Sequence, residues 1–108
     1  MILKDGIKTH LAIVVEESEL YKYVRDHWKH IPFTFDDLDF REFIRDKIAT
    51  YVRWDYDDFV WCIAHYGAEY RENKNDEISF FYAETSKILK DAIDDDILPK
   101  SFLVKIEW

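Results

Sequence analysis

Residues 59–68 form the one stretch of the chain that carries no charge and almost no polarity, and they limit how the rest can fold. Their sequence is FVWCIAHYGA. A run this short fits a buried strand or a buried helix, and its periodicity does not decide between them. The flanking sequence favours a helix, because apolar residues continue at intervals of three and four positions. This stripe consists of Phe59, Cys62, Ile63, Tyr66 and Tyr70. We therefore predict a buried central helix over residues 57–72.

Acidic residues mark the start of this helix. Asp55 at the N-cap places Asp58 at position N3, where the two form a capping box. Trp54 and Phe59 flank this box and form a hydrophobic staple. The same arrangement occurs nineteen residues earlier, with Asp36, Asp39, Phe35 and Phe40 in the corresponding places. Both acidic groups are thus explained as helix caps.

The apolar positions repeat again nineteen residues further on, which predicts a third helix. We expect these helices over residues 37–53, 57–72 and 77–94. The short polar links between them suit antiparallel neighbours. Helices of similar length and a true internal duplication both account for the repeat.

The two ends of the chain have the residue types of strands. Residues 11–15 are rich in β-branched side chains and predict a strand after an irregular lead-in over residues 1–8. A helix capped by Ser18 is expected to follow and to run to His30. Residues 101–108 alternate partly and predict a terminal strand paired with the first. The fold class is therefore mostly helical α+β in a single domain, 1–108. The alternatives are an all-α bundle and an α+β fold with a hairpin at residues 60–84.

Composition excludes several classes of protein. The chain has 108 residues, a net charge of −8 and one cysteine. One cysteine excludes a disulfide framework and fits a reducing cytoplasm. We find neither a signal-peptide pattern nor an apolar run of membrane-spanning length, so we expect a cytoplasmic protein with no membrane partner. Direct binding to nucleic acid is not expected either, because it needs a basic face.

Common catalytic motifs are missing from the sequence. Two glycines leave no phosphate-binding loop, and no Gly-x-Ser-x-Gly elbow or calcium loop is present. We therefore expect a non-enzymatic protein with no cofactor and no metal. Weak metal candidates are two pairs at helical spacing, His27 with His30 and Cys62 with His65. One cysteine with three histidines is not a usual structural zinc set.

The acidic run near the C-terminus has no role as a helix cap. Asp94, Asp95 and Asp96, with Asp91 before them, fall at the predicted end of a helix, where the helix dipole disfavours anions. A solvated loop is the simple interpretation, and a surface that binds a partner is the alternative. Aromatic residues beside carboxylates are typical of interaction hot spots. A second candidate for partner binding is therefore Trp54, Asp55 and Tyr56.

The sequence thus favours a protein-binding module that inhibits or neutralises a partner with a basic or nucleic-acid-binding surface. Small immunity proteins against nuclease toxins and small anti-defence proteins of mobile elements are similar in general character, although not in sequence. Mimicry of the charge of DNA is a narrower version. The alternatives are a metal-binding enzyme or sensor that uses His27, His30, Cys62 and His65, and a structural or assembly protein. The latter would form a homodimer through the C-terminal strand.

Overall fold

The computed structural model describes residues 7–9, 12–28, 35–45 and 48–107. In these ranges four helices and four strands follow one another along the chain. In order they are β1 Ile7–Thr9, β2 Ala12–Glu16, α1 Glu17–His27, α2 Asp37–Ile44, β3 Tyr51–Asp55, α3 Tyr56–Glu72, α4 Glu77–Asp94 and β4 Ser101–Lys105. The predicted mostly helical α+β fold is confirmed, and the all-α alternative is wrong.

The strands form one sheet in the order β1-β2-β4-β3. The predicted pairing of the two terminal strands is confirmed, with β2 parallel to β4 and Val15 opposite Val104. β3 lies antiparallel on the other side of β4, and Val52 also faces Val104. Since β4 is hydrogen-bonded on both sides, it has no free edge. β4 therefore offers no edge at which a second copy could pair, and the predicted structural or assembly role stays a prediction.

The helices pack on one face of the sheet. Phe102, Val104 and Ile106 alternate with less buried residues and lie in the core. Side chains from all four helices join the same hydrophobic cluster. The rings of Phe59 and Phe102, for example, are 6.2 Å apart between centroids. The period-two pattern of β4 thus directs every second side chain onto the helical layer.

Both predicted capping boxes are confirmed. The Asp36 carboxylate accepts hydrogen bonds from the backbone N–H groups of Leu38 and Asp39, and the Asp39 carboxylate accepts one from Asp36 N–H. Asp55 and Asp58 exchange the same two bonds at 3.0 Å. The predicted staple at this second box is also present, because Trp54 and Phe59 stack at 5.0 Å.

The helix that dominates the core is α4 rather than α3. Along α3, two residues are buried, Phe59 and Cys62, and Trp61 is 58% exposed. α4 buries seven: Ser79, Phe81, Thr85, Ser86, Leu89, Ala92 and Ile93. The prediction of a buried central helix over residues 57–72 is therefore wrong in its burial, although its bounds are close to those of α3. The apolar run of residues 59–68 thus lies in a helix whose side away from the core is exposed to solvent.

Residues 51–55 depart most from the expected fold. The predicted helix over residues 37–53 ends at Ile44, and the sequence YVRWD forms β3. Three of those five residues, Tyr51, Val52 and Trp54, belong to types that favour strands. The hairpin alternative at residues 60–84 is wrong, because α3 and α4 occupy that segment. β1 lies partly within the expected irregular lead-in.

The start of α1 differs from the predicted cap. Glu16 is the N-cap and makes no side-chain capping bond, while Ser18 lies within the first turn and donates to the Glu107 carboxylate. Glu17 is 2% exposed, and its carboxylate accepts hydrogen bonds from Arg41 Nε at 2.9 Å and from Glu107 N–H at 3.2 Å. A buried charge needs such partners. This ion pair ties α1, α2 and the end of β4 together.

Candidate functional site

Four carboxylates surround the C-terminus of α4, and we call this group the acidic end. It consists of Asp91, Asp94, Asp95 and Asp96, all of them exposed. α4 ends at Asp94, with Asp95 as the C-cap. The predicted boundary is confirmed, so the carboxylates do lie where the helix dipole is negative. Each such anion near the surface is disfavoured by about 0.3–1 kcal/mol.

The chain reverses after α4 in a Schellman motif. Asp96 N–H donates to the Ile93 carbonyl at 3.1 Å, and Ile97 N–H donates to the Ala92 carbonyl at 2.8 Å. This motif requires a left-handed residue, which is usually glycine. Here it is Asp96, with a φ of 60°, the only positive φ of a non-glycine residue in the described ranges. A left-handed conformation costs an L-residue roughly 1–2 kcal/mol, although aspartate adopts it more readily than most.

One lysine lies against the acidic end. Lys90 Nζ is 2.9 Å from an Asp94 carboxylate oxygen and 5.4 Å from the centre of the Tyr56 ring. The hydrogen bond to Asp94, and then that to Tyr56, raises the pKa of Lys90 above its usual value. The ammonium group of Lys90 therefore stays charged and offsets part of the negative charge of the Asp94 carboxylate. It also connects the acidic end to the first residue of α3.

The acidic end and the second predicted partner-binding group, residues 54–56, lie next to each other. The contacts of Lys90 join them, and so do contacts between residues 55–56 and 100–101. Tyr56 N–H donates to the Lys100 carbonyl at 2.9 Å, and Asp55 pairs with Ser101 across the sheet. The β3–α3 junction therefore lies beside the segment that follows the acidic end. Tyr56 is half-buried there. Of the three residues predicted around position 55, it is the one that reaches the acidic end.

Trp54 and Asp55 have structural roles instead. Trp54 Nε1 donates to the Ile44 carbonyl at 3.0 Å, and its ring packs between Phe43 and Phe59. These contacts account for the position of the Trp54 indole, which packs against the two phenylalanines rather than beside the carboxylates of the acidic end. Asp55 caps α3 through its bond with Asp58. Trp54 is thus half-buried and packed against the core, and its part in partner binding stays a prediction.

Two neighbours of the acidic end were missed in the sequence. Burial raises the pKa of the Tyr23 phenol on α1, and the negative charges of Asp95 and Asp91 raise it further. Nothing in the sequence places α1 beside residues 91–95. Lys90, however, precedes Asp94 by four positions, and that spacing on a helix is a recognisable signal for an ion pair.

The weak metal candidates do not share a site in the described ranges. Cys62 is buried beside Ser86, and burial raises the pKa of its thiol. His65 is exposed and stacks on Trp61 at 4.5 Å. His27 lies on α1, where its Nδ1 is 2.8 Å from the Tyr23 carbonyl oxygen. His30 lies outside the described residues. No group of three or more His, Cys, Asp or Glu side chains suited to a metal ion occurs in the part of the chain that the structure describes.

The acidic end presents hydrogen-bond acceptors and negative charge on solvent-exposed side chains at a helix terminus. Such a surface can bind a positively charged group. None of the helices in the described ranges is both long and apolar enough to cross a membrane. No model of a protein family, no curated protein and no solved structure matches this chain.

Proposed function

We propose that this protein is a non-enzymatic binding module that uses the acidic end to hold a basic surface of a protein partner. Inhibition of a nucleic-acid-binding partner is the form of the proposal that fits a net charge of −8 best. In that form the carboxylates of the acidic end occupy the surface of the partner that otherwise binds the phosphates of a nucleic acid, as in charge mimicry of DNA. The proposal places the protein in the cytoplasm.

The observation that supports this proposal is the coincidence of two avoidable destabilising features. Three consecutive carboxylates lie at the negative end of the α4 dipole, and the third of them adopts the left-handed conformation. Asparagine or glycine at position 96 and cations at the neighbouring positions would be more stable locally. Strained or electrostatically unfavourable residues concentrate at functional sites. A role in binding explains why carboxylates occupy these positions.

The surroundings of the acidic end also suit a protein partner. Tyr56 supplies aromatic surface beside Lys90 and the acidic end, and aromatic residues contribute strongly to protein interfaces. Lys90 holds Asp94 in place by a hydrogen bond, so one carboxylate is oriented before a partner arrives. Orienting a side chain in advance reduces the entropy lost on binding.

The proposal is tested with a triple variant, Asp94→Asn, Asp95→Asn and Asp96→Asn. The wild-type protein is first used to capture its partner from an extract of its own host, and association is then measured with the purified partner. The variant should associate more slowly because electrostatic steering is lost. The difference should shrink at 1 M salt, where the Debye length falls to about 3 Å.

A matched control removes the same charge elsewhere. Glu69→Gln, Glu72→Gln and Glu77→Gln change three exposed carboxylates on α3 and α4. This control should associate nearly as fast as the wild type, whereas a general charge effect would slow both variants alike. Equal rates for all three proteins in low salt would refute the role of the acidic end. Loss of nucleic-acid binding by the partner in the complex would support inhibition in particular.

A further inference from the structure

α3 and α4 enclose a groove between them. It has a volume of about 300 Å³ and is partly open to solvent. Ile63, Gly67 and Tyr70 of α3 form one wall, and Phe80 and Ala83 of α4 form the other. Pockets that bind small molecules have volumes from about 300 to 1,000 Å³. The groove lies at the lower end of that range and suits a ligand of one or two rings.

Gly67 is the least expected residue of the groove. It lies inside a helix of 17 residues, where glycine is less stable than alanine. Its backbone has no positive φ that would require glycine. Apart from its chain neighbours and the helix backbone, the one described atom within 4 Å of a Cβ built on Gly67 is Arg71 Nη1. That distance is 3.5 Å, an ordinary van der Waals contact. Neither the backbone conformation nor packing within the described residues explains this glycine.

A molecule bound in the groove explains it. Because Gly67 has no side chain, the floor of the groove is bare backbone, on which a planar group can lie closely. The rings of Tyr70 and Phe80 stand beside this floor, with centroids 5.0 Å apart and an angle of 48° between their planes. Aromatic rings attract further rings in such tilted or offset arrangements. The groove therefore fits a flat aromatic ring.

The charges along the groove favour an anion. Of the described residues that line it, Arg71 and Lys87 are cationic and one, Glu84, is anionic. Glu84 lies 3.9 Å from Lys87, so these two charges offset each other. Arg71 takes part in none of the ion pairs that the described residues form. A further cation, Lys74, lies 4.7 Å from the centre of the Tyr70 ring. In a chain of net charge −8, this groove is a local exception.

We propose that the groove binds a small aromatic carboxylate. The ring lies on Gly67 against Phe80, and the carboxylate pairs with the guanidinium of Arg71. Helical side chains point toward the N-terminus of their own helix, which is why the Arg71 guanidinium lies over Gly67, one turn before its Cα. Pairs of arginine and carboxylate are often bidentate, so this contact also fixes the orientation of the ligand.

Other carboxylates of α3 oppose such a ligand only weakly. Glu69 and Glu72 are exposed and do not line the groove. At about 0.15 M salt the Debye length is near 8 Å, so exposed charges at a distance are largely screened, whereas Arg71 acts at contact distance. The groove shares no residue with the acidic end. The proposal therefore holds or fails independently of the proposed function.

Titration of isotope-labelled protein with naphthoate, followed by NMR, tests the proposal. Saturable changes are expected in the backbone amide signals of Gly67 and Arg71, with a dissociation constant of about 1 mM or lower. The neutral analogue naphthamide keeps the two rings and should bind at least about 5-fold more weakly, because the ionic contact is lost. Equal affinities would refute the pairing with Arg71. No saturable change up to about 10 mM, with naphthoate or with the smaller benzoate, would overturn the proposal.

The variant Arg71→Gln tests the ionic contact, and Arg25→Gln is its matched control. Both residues are exposed arginines in the last turn of a helix, Arg71 in α3 and Arg25 in α1. Arg71→Gln should weaken naphthoate binding at least about 5-fold and leave naphthamide binding within about 2-fold. Arg25→Gln should leave both affinities within about 2-fold. Equal losses in the two variants would reveal a general charge effect and contradict the site.

A small substitution at Gly67 separates binding from stability. Gly67→Ala should raise the melting temperature, because alanine forms helices better and its Cβ meets no close atom. The same variant should bind naphthoate more weakly, since the methyl group covers the floor of the groove. A lower melting temperature would give the glycine a structural role within the chain and contradict the proposal.

A large substitution tests the position of the ligand. Gly67→Leu fills the groove and should abolish naphthoate binding. Ala64→Leu adds bulk at an exposed position of the same helix that does not line the groove, and it should leave the affinity unchanged. Naphthoate binding that survives Gly67→Leu, or that is lost equally in both variants, would place the ligand elsewhere and overturn the proposal.

Discussion

α3 and α4 are neighbours of nearly equal length, yet they relate to the core in opposite ways. α3 has 17 residues and α4 has 18. α3 contains the uncharged run of residues 59–68, but two of its residues are buried. α4 carries charges along its length and buries seven residues, among them Thr85 and Ser86, both fully inaccessible.

The difference shows that the order of apolar residues predicts burial better than their number does. On α4 the apolar and small polar residues fall on one side, and the charges fall on the other. Along residues 59–68 of α3, apolar side chains lie on more than one side of the helix, so the core covers one side and Val60 and Trp61 remain exposed.

The largest expected effect on stability is at the centre of α4. Leu89→Ala should lower the free energy of unfolding by about 2–5 kcal/mol, because the side chain is fully buried and its removal leaves a cavity. Urea denaturation measures the change. A loss under about 1 kcal/mol would mean that α4 does not dominate the core.

The matching change on α3 should have a smaller effect. Ile63 is half-buried at the edge of the groove between the helices. Ile63→Ala should therefore cost less than about 2 kcal/mol, below the range for fully buried positions. Urea denaturation of the Ile63→Ala and Leu89→Ala variants compares the two losses in the free energy of unfolding. If its effect equals or exceeds that of Leu89→Ala, α3 is the central helix after all.

A third change should raise stability. The Thr85 hydroxyl is buried and has no hydrogen-bond partner. Thr85→Val keeps the shape and removes the unpaired group, so the free energy of unfolding should rise by about 1 kcal/mol. Thr85→Ser is the control, because it keeps the hydroxyl and removes a methyl group. It should lower stability by roughly 0.8 kcal/mol, and a loss with both variants would show that the hydroxyl has a partner.

The smallest effect is expected at Trp61. Trp61→Ser removes a large aromatic side chain, but tryptophan and serine have similar helix propensities. The free energy of unfolding should change by no more than about 0.5 kcal/mol, as at other exposed sites. Thermal or urea denaturation of the variant provides the measurement. A loss above about 2 kcal/mol would place Trp61 in the core of the single chain.

Local signals in the sequence identified most of the helix boundaries. The capping boxes at Asp36 and Asp55 were predicted correctly, since a cap depends on residues within one turn of each other. The bounds of α4 were predicted correctly for the same reason. The staple of Trp54 on Phe59 follows from their positions next to the cap. These features need no information about the rest of the fold.

Part of the candidate site was also accessible from the sequence. The run of Asp94, Asp95 and Asp96 at a helix end was recognised from residue types alone. Its proximity to Tyr56 was not predictable, because residues 56 and 94 meet only after α3 and α4 have packed antiparallel. The left-handed conformation of Asp96 depends on the turn that the chain makes toward β4.

What the sequence by itself determined is the set of elements with strong local signals, namely the caps, α3, α4 and the terminal strands. Only the tertiary structure decided that residues 51–55 form β3 and that α4 rather than α3 fills the core. The physical reason is that a strand needs a partner from a distant part of the chain. β3 gains its hydrogen bonds from β4, about fifty residues later. Burial depends in the same way on which face of a helix meets the sheet, and α3 turns one apolar side to the core and the other to solvent.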